Sequence, residues 1–111
     1  MKYRNDHNSF LPLQVIRQLN DDFIIWDVRT PMEFIHGHIE GALNVPFDEL
    51  DWWLDKAKEY NKPILTCSDG DDRSFLVAKA LKANHLEAID GGSWQQLNDI
   101  ILKNNTNEIN V

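Results

Sequence analysis

The fold is decided by the stretch Pro63-Ile64-Leu65-Thr66-Cys67-Ser68-Asp69-Gly70-Asp71-Asp72-Arg73-Ser74. Here a short apolar run is followed by a polar turn, and then by apolar residues at helical spacing: Leu76, Val77, Ala80 and Leu81. This order predicts a strand, a loop and a helix. Cys67 would lie at the carboxyl end of the strand, where open α/β sheets bind ligands and where the N–H groups of the next helix face an anion.

Cys67 is the single cysteine of the chain. A lone cysteine is more often a small buried hydrophobe than a reactive group. Two features favour a nucleophile: the loop that follows is too polar to be core, and Arg73 and a helix N-terminus would lower the pKa of the thiol. We therefore predict a nucleophile whose pKa lies below the ordinary thiol value of about 8.5.

Length and composition predict one domain over residues 1–111, because 111 residues of which 42% are hydrophobic suffice for a single core. That core would span about residues 12–102, between a polar arm at 1–9 and a polar tail at 103–111. The net charge of −7 argues against a nucleic-acid partner. Four scattered histidines predict no metal site, and no apolar run is long enough for a signal peptide or a membrane span, so we expect a cytoplasmic protein without a membrane partner.

Hydrophobic periodicity predicts strands that alternate with helices along the chain. The predicted strands are Phe23–Val28, Ala42–Val45, a run around Ile64, and Glu87–Ile89. The predicted helices begin near Pro12, at Pro31 (one or two turns), at Glu49 (to Tyr60, capped by Asp48), at Arg73 (to about Ala83) and at Trp94. At Pro31, Thr30 and Glu33 have the spacing of a capping box. Asp27 and His38 flank that short helix, and such residues more often pin loops through hydrogen bonds than perform chemistry.

Over about Pro12 to Leu102, the sequence resembles the rhodanese homology domain. Three segments carry the resemblance: Asp27-Val28-Arg29-Thr30-Pro31 with Glu33-Phe34 and Gly37-His38-Ile39 through Pro46; the loop Cys67 to Ser74; and Asp90-Gly91-Gly92 before Trp94. The resemblance implies a parallel sheet of about five strands wound by helices on both faces. It also implies a sulfurtransferase that needs no cofactor. In such an enzyme, a persulfide formed on Cys67 would carry sulfur from thiosulfate or another persulfide to a thiophilic acceptor.

The resemblance assigns roles to individual residues. Cys67 would be the nucleophile, and Arg73 would close over an anionic substrate. The backbone N–H groups of the loop would form the anion cradle, which comprises Ser68, Asp69, Gly70, Asp71, Asp72 and Arg73. Architectural roles would fall to Asp27, Arg29, His38, Gly91 and Gly92. Since the chain has no second cysteine to resolve a persulfide, the acceptor would be a small external thiol or the thiol of another protein.

Two features depart from the family pattern. From Cys67 to Arg73 the loop counts seven residues, one more than is usual and the length found in phosphatases and arsenate reductases of this fold. The loop also carries three aspartates, each of which would oppose a bound anion by on the order of 1 kcal/mol before salt screening. Two alternatives to sulfur transfer therefore stay open, namely a phosphatase or arsenate reductase, and a non-catalytic binding module whose acidic loop recognises a cationic partner.

Overall fold

The structure, a computed structural model, describes the backbone of residues 23–110 and the side chains of residues 23–103. In chain order the elements are β1 (Ile24–Asp27), α1 (Pro31–Ile35), β2 (Leu43–Asn44), a 3-10 turn (Phe47–Glu49), α2 (Leu50–Ala57), β3 (Ile64–Ser68), α3 (Arg73–Ala83), β4 (Ala88–Ser93) and α4 (Trp94–Asn110). The predicted polar arm and the helix predicted near Pro12 lie outside the described residues. No helix of the described part is long and apolar enough to cross a membrane.

The strands form one parallel sheet in the order β2-β1-β3-β4. The prediction of a parallel sheet with helices around it is confirmed. The sheet has four strands within residues 23–110, whereas about five were expected. β3 lies between β1 and β4, and all five of its residues are buried. A strand that is enclosed on both faces is rich in apolar residues, as the run Ile64-Leu65 shows, and the hydroxyls of its Thr66 and Ser68 are hydrogen-bonded.

Alternate residues of β1 and β3 face two separate cores. One core holds Trp26 and Ile64 together with residues of α2 and α3, among them Val77 and Leu81. The other core holds Ile25, Ile39, Leu65, Cys67, Leu97 and Ile101, and so lies under α4. Helices therefore cover both faces of the sheet, and Cys67 belongs to the face under α4 because it lies two residues beyond Leu65.

Three helix boundaries differ from the predictions. Asp48 does not cap the third predicted helix, because it lies inside the 3-10 turn that precedes α2, and no side chain caps α2. α2 also ends at Ala57 and not at Tyr60. At the other end of the chain, α4 continues through 103–110, the stretch predicted to be a polar tail. By contrast, the bounds of α3 and the capping box of α1 are confirmed.

β4 is longer than predicted, because Asp90-Gly91-Gly92-Ser93 continues the strand where a turn was expected. Thr66 of β3 pairs with Asp90, and Ser68 pairs with Ser93. Gly91 and Gly92 of β4 therefore lie opposite a single residue of β3, Cys67. This two-against-one pairing is a β-bulge. Gly92 has a φ of 76°, in the left-handed region that favours glycine.

Gly91 of this bulge allows β4 to approach β3 closely. A Cβ atom at position 91 would lie 2.7 Å from the carbonyl oxygen of Thr66 and 3.0 Å from a methyl group of Leu97. Since the first of these atoms is backbone, the two strands would have to separate. We expect Gly91→Ala to lower the free energy of unfolding by about 2–3 kcal/mol, measured by urea denaturation. Gly70→Ala is the comparison without a clash, because a Cβ there meets nothing within 4 Å, although its φ of 80° strains an alanine, and we expect it to lose less stability, about 1 kcal/mol. Equal stability of Gly91→Ala and the wild type would contradict the close approach.

Candidate active site

Cys67 lies near the carboxyl end of the central strand β3, as predicted, but its side chain is fully buried. It pairs in register with Asp27 of β1, and the N–H of Val28 donates to its carbonyl oxygen at 3.0 Å. The expectation that the polar loop would keep this cysteine out of the core is wrong. The loop begins only after Ser68, so the thiol still belongs to the strand and packs beneath α4.

The predicted depression of the Cys67 pKa is also wrong. Burial raises the pKa of the thiol well above its ordinary value, because the thiolate would lose its hydration, and the carboxylate of Asp27 raises it further. Arg29 partly offsets these effects, while Asp90 adds to them. The cation that favours the thiolate is therefore Arg29, and the opposing charges come from neighbouring strands and not from the aspartates of the loop.

Arg29 and Asp27 form a buried ion pair at the end of β1. The guanidinium donates from Nε to Asp27 Oδ1 at 2.9 Å and from Nη2 to Oδ2 at 2.7 Å, and the Arg29 N–H donates to Oδ1 at 3.1 Å. The same guanidinium donates to the carbonyl oxygens of Gly37 at 2.6 Å and Glu33 at 3.3 Å. It also lies over the ring of Trp94, 4.6 Å from the centroid. Arg29 thus joins β1, the segment around α1, and the start of α4.

The segment after β1 is fixed by local contacts. Thr30 Oγ1 accepts from the N–H of Glu33, and Glu33 Oε1 accepts from the N–H of Thr30 at 2.9 Å, which completes the capping box. His38 is exposed, stacks on Phe34 with ring centroids 3.7 Å apart, and has Nδ1 2.7 Å from the Phe34 carbonyl oxygen. The architectural roles predicted for Asp27, Arg29 and His38 stay predictions, and these contacts are what mutation would test.

Asp71 is the centre of the loop between β3 and α3. Its Oδ1 accepts from Ser68 Oγ at 2.8 Å, from the N–H of Arg73 at 3.0 Å and from Arg73 Nε at 3.0 Å, and its Oδ2 accepts from Arg73 Nη2 at 2.8 Å. Arg73 also donates from Nη1 to Glu33 Oε1 at 2.9 Å and from Nη2 to Oε2 at 3.3 Å. The guanidinium predicted to close over a substrate is therefore held by two carboxylates of the protein.

The other predicted cradle residues differ in their surroundings. Asp69, Gly70 and Asp72 are exposed, and Gly70 has a φ of 80°, which turns the chain toward α3. Within residues 23–103, the N–H groups of Asp69 and Gly70 donate to no protein acceptor, and Ser74 Oγ is buried without a hydrogen bond. Asp72 is the N-cap residue of α3, but its side chain makes no capping hydrogen bond. Donors that a ligand could use thus exist at Asp69 and Gly70.

Sequence reasoning missed the ion pair between Glu33 and Arg73 and the role of Asp71. A signal for Asp71 was present, because Asp27-Val28-Arg29 and Asp71-Asp72-Arg73 share the pattern Asp-x-Arg. Both pairs form the same fork, in which the arginine N–H and Nε reach one carboxylate oxygen and Nη2 reaches the other. Glu33 lies 40 residues from Arg73, and no local pattern predicts that contact.

The described residues contain no group of three or more His, Cys, Asp or Glu side chains arranged to hold a metal ion. Their chemistry at this site is that of one buried thiol, two Asp-x-Arg pairs, and one further carboxylate from α1.

Comparisons with known proteins show what this chain resembles in fold. Among solved structures, the chain is 25% identical to the reduced form of Bacillus anthracis CoADR-RHD, with a TM-score of 0.63 over 81% of this chain and 16% of that one. It is 26% identical to SSP1007 of Staphylococcus saprophyticus, with a TM-score of 0.59 over 71% of this chain and 82% of that one. It is 25% identical to the rhodanese-like domain of the Anabaena protein Alr3790, with a TM-score of 0.56 over 74% and 68% of the two chains. The chain thus spans only a small part of the Bacillus anthracis protein.

A search of curated proteins finds no significant match. The family model of the rhodanese-like domain, however, matches residues 11–97, which include Cys67, the whole loop and both glycines of the β4 bulge. The chain therefore belongs to the rhodanese-like domain family.

Proposed function

We propose that this domain is a sulfurtransferase that carries sulfane sulfur as a persulfide on Cys67. The observation that carries the proposal is the place of Cys67 in a rhodanese-like domain, at the end of the central strand and directly before a loop that leads into α3. No cofactor is required. The donor would be a small persulfide or thiosulfate, and the acceptor an external thiol or a protein thiol.

In the first half-reaction, the sulfur of Cys67 attacks the outer sulfur of the donor. A new S–S bond forms on Cys67, and the S–S bond of the donor breaks with its electron pair on the leaving thiolate or sulfite. The proton of the Cys67 thiol passes to the leaving group or to water. The N–H groups of Asp69 and Gly70, which donate to no acceptor among residues 23–103, are the backbone donors that support the proposal. Oriented N–H dipoles stabilise charge that develops on a transferred sulfur or a leaving anion.

The burial of Cys67 sets a condition on this chemistry. Because the side chain has no exposed surface, a donor reaches the sulfur only after the residues packed around it move. The raised pKa of the thiol also means that little thiolate is present at neutral pH while it is buried. We therefore expect slow sulfur transfer unless a donor or a partner exposes the thiol.

A non-catalytic binding module is the second candidate, and the same burial favours it. The thiol is fully buried with a raised pKa, and the arginine of the loop is already paired with two carboxylates, so neither group is in the state that sulfur transfer would use. The site gives less support to a phosphatase or arsenate reductase, because those activities need a thiolate and an arginine that is available to a dianion.

Intact mass spectrometry separates the two candidates. The wild-type protein is incubated with cysteine persulfide or with thiosulfate, freed of excess donor and weighed. We expect a gain of one sulfur atom that is reversed by a thiol and is absent in Cys67→Ser. No gain with either donor, from protein whose melting curve shows that it is folded, would overturn sulfur transfer and favour the binding module.

A further inference from the structure

Asp71 occupies the groups of the loop that an anionic substrate would use. Its carboxylate receives hydrogen bonds from a side-chain hydroxyl, from the N–H of the first residue of α3 and from a guanidinium fork, at 2.8–3.0 Å. Hydroxyl groups, helix N-termini and arginine forks are the donors that bind sulfate, phosphate or thiosulfate in proteins. The protein thus supplies its own anion at this position.

The carboxylate is held firmly in that place. Hydrogen bonds from Arg73, and then from Ser68, lower the pKa of Asp71 to about 2, so the group is ionised at neutral pH. An external anion would have to displace a group that is tethered two residues from Arg73 and therefore has a high effective concentration. For this reason, an external anion that binds weakly does not displace the carboxylate of Asp71.

The charge balance around Arg73 adds to this competition. Its single positive charge is shared between Asp71 and Glu33, and both ion pairs have N···O distances below 3 Å. The three groups together carry one negative charge, and the exposed carboxylate of Asp69 belongs to the same loop. A dianion brought to this loop meets net repulsion, whereas a donor whose ammonium group offsets part of its negative charge meets less.

We propose that Asp71 is a specificity-determining residue, an internal anion that excludes doubly charged donors such as thiosulfate and leaves the site to small zwitterionic persulfides such as cysteine persulfide. The part of this inference that concerns donors rests on the proposed sulfur transfer. The part that concerns occupation of the anion-binding groups does not, because it is measured by binding alone.

The binding test uses sulfate, an unreactive dianion. Asp71→Ala frees the hydroxyl of Ser68, the N–H of Arg73 and Nε of the guanidinium, whose Nη atoms remain bonded to Glu33. Sulfate should therefore raise its melting temperature and bind about tenfold more tightly than to the wild type. Sodium chloride at equal ionic strength is the reference for general salt effects. Asp69→Ala is the matched variant, since it removes the same charge and the same atoms from the same loop but breaks no side-chain hydrogen bond to any residue whose side chain the structure describes. Its gain in sulfate affinity should be about twofold at most.

The kinetic test compares two donors. We expect Asp71→Ala to raise kcat/KM for thiosulfate about tenfold and to change kcat/KM for cysteine persulfide less than threefold. Asp69→Ala should change the ratio of the two values far less. If Asp71→Ala melts below the assay temperature, Asp71→Asn, which keeps the shape and removes the charge, replaces it in both tests with the same expected order.

The outcomes separate this inference from the proposed function. Equal gains in sulfate affinity for Asp71→Ala and Asp69→Ala would show a general effect of charge and overturn the role of Asp71. The absence of any gain in Asp71→Ala would overturn it too. Tighter sulfate binding in Asp71→Ala without persulfide on any variant would overturn sulfur transfer while supporting Asp71 as the internal anion of a binding loop.

Discussion

Replacing Arg29 with alanine is expected to lower the free energy of unfolding by about 3–5 kcal/mol, the largest loss of stability expected from a single side chain of this site. Asp27 has no exposed surface, and its carboxylate accepts three hydrogen bonds from the guanidinium of Arg29, two from Nε and one from Nη2. Without Arg29 it would remain in the core as an uncompensated charge. The carbonyl oxygen of Gly37 and the face of the Trp94 ring would also lose their cation. Urea denaturation followed by circular dichroism measures the change.

Arg73→Ala is the matched control, because it removes the same Asp-x-Arg fork from a wetter place. The Arg73 side chain is 24% exposed, against 4% for Arg29. Exposed ion pairs contribute little to stability, so we expect a loss of about 1 kcal/mol. Equal losses for the two variants would show that burial does not set the strength of these pairs. A loss below 1 kcal/mol for Arg29→Ala would contradict its role in joining β1 to α1 and α4.

The largest kinetic effect is expected in the rate at which Cys67 is alkylated. With its side chain buried and its pKa raised by desolvation, we expect iodoacetamide to alkylate the folded protein about a hundredfold more slowly at neutral pH than it alkylates a free cysteine. Because the pKa is raised, the thiolate fraction stays low through neutral pH, and the alkylation rate should still be rising at pH values where an ordinary thiol has reached its plateau. Intact mass spectrometry at a series of times and pH values measures the rate.

The unfolded protein in urea is the control for this experiment, since its thiol should react with a midpoint near the ordinary value of about 8.5. Rapid alkylation of folded protein with a midpoint below that value would mean that the thiol is readily exposed, and that the helix N-terminus lowers its pKa more than burial raises it. Such a result would also mean that sulfur transfer need not be slow.

In the acid-rich loop, neighbouring residues predicted the secondary structure but not the different positions of the three aspartates. The pattern of an apolar run, a polar turn and a helical repeat predicted β3, the loop and α3 correctly, because neighbouring residues fix these preferences. The capping box of Thr30 and Glu33 was predictable for the same reason. The three aspartates were expected to act alike as charges that oppose an anion. Only Asp71 turns into the loop to accept from Ser68 and Arg73, whereas Asp69 and Asp72 are exposed.

The sequence by itself determined the alternation of strands and helices, the place of Cys67 at the end of a buried strand, and the family, since these depend on residue types at short and ordered spacings. Only the tertiary structure decided the state of the site. The burial of Cys67 comes from α4, the charges that act on its thiol come from Asp27, Arg29 and Asp90 on other strands or just beyond them, and Glu33 reaches Arg73 across 40 residues. Desolvation and charge depend on distance in space, and distance in space is set by how the elements pack.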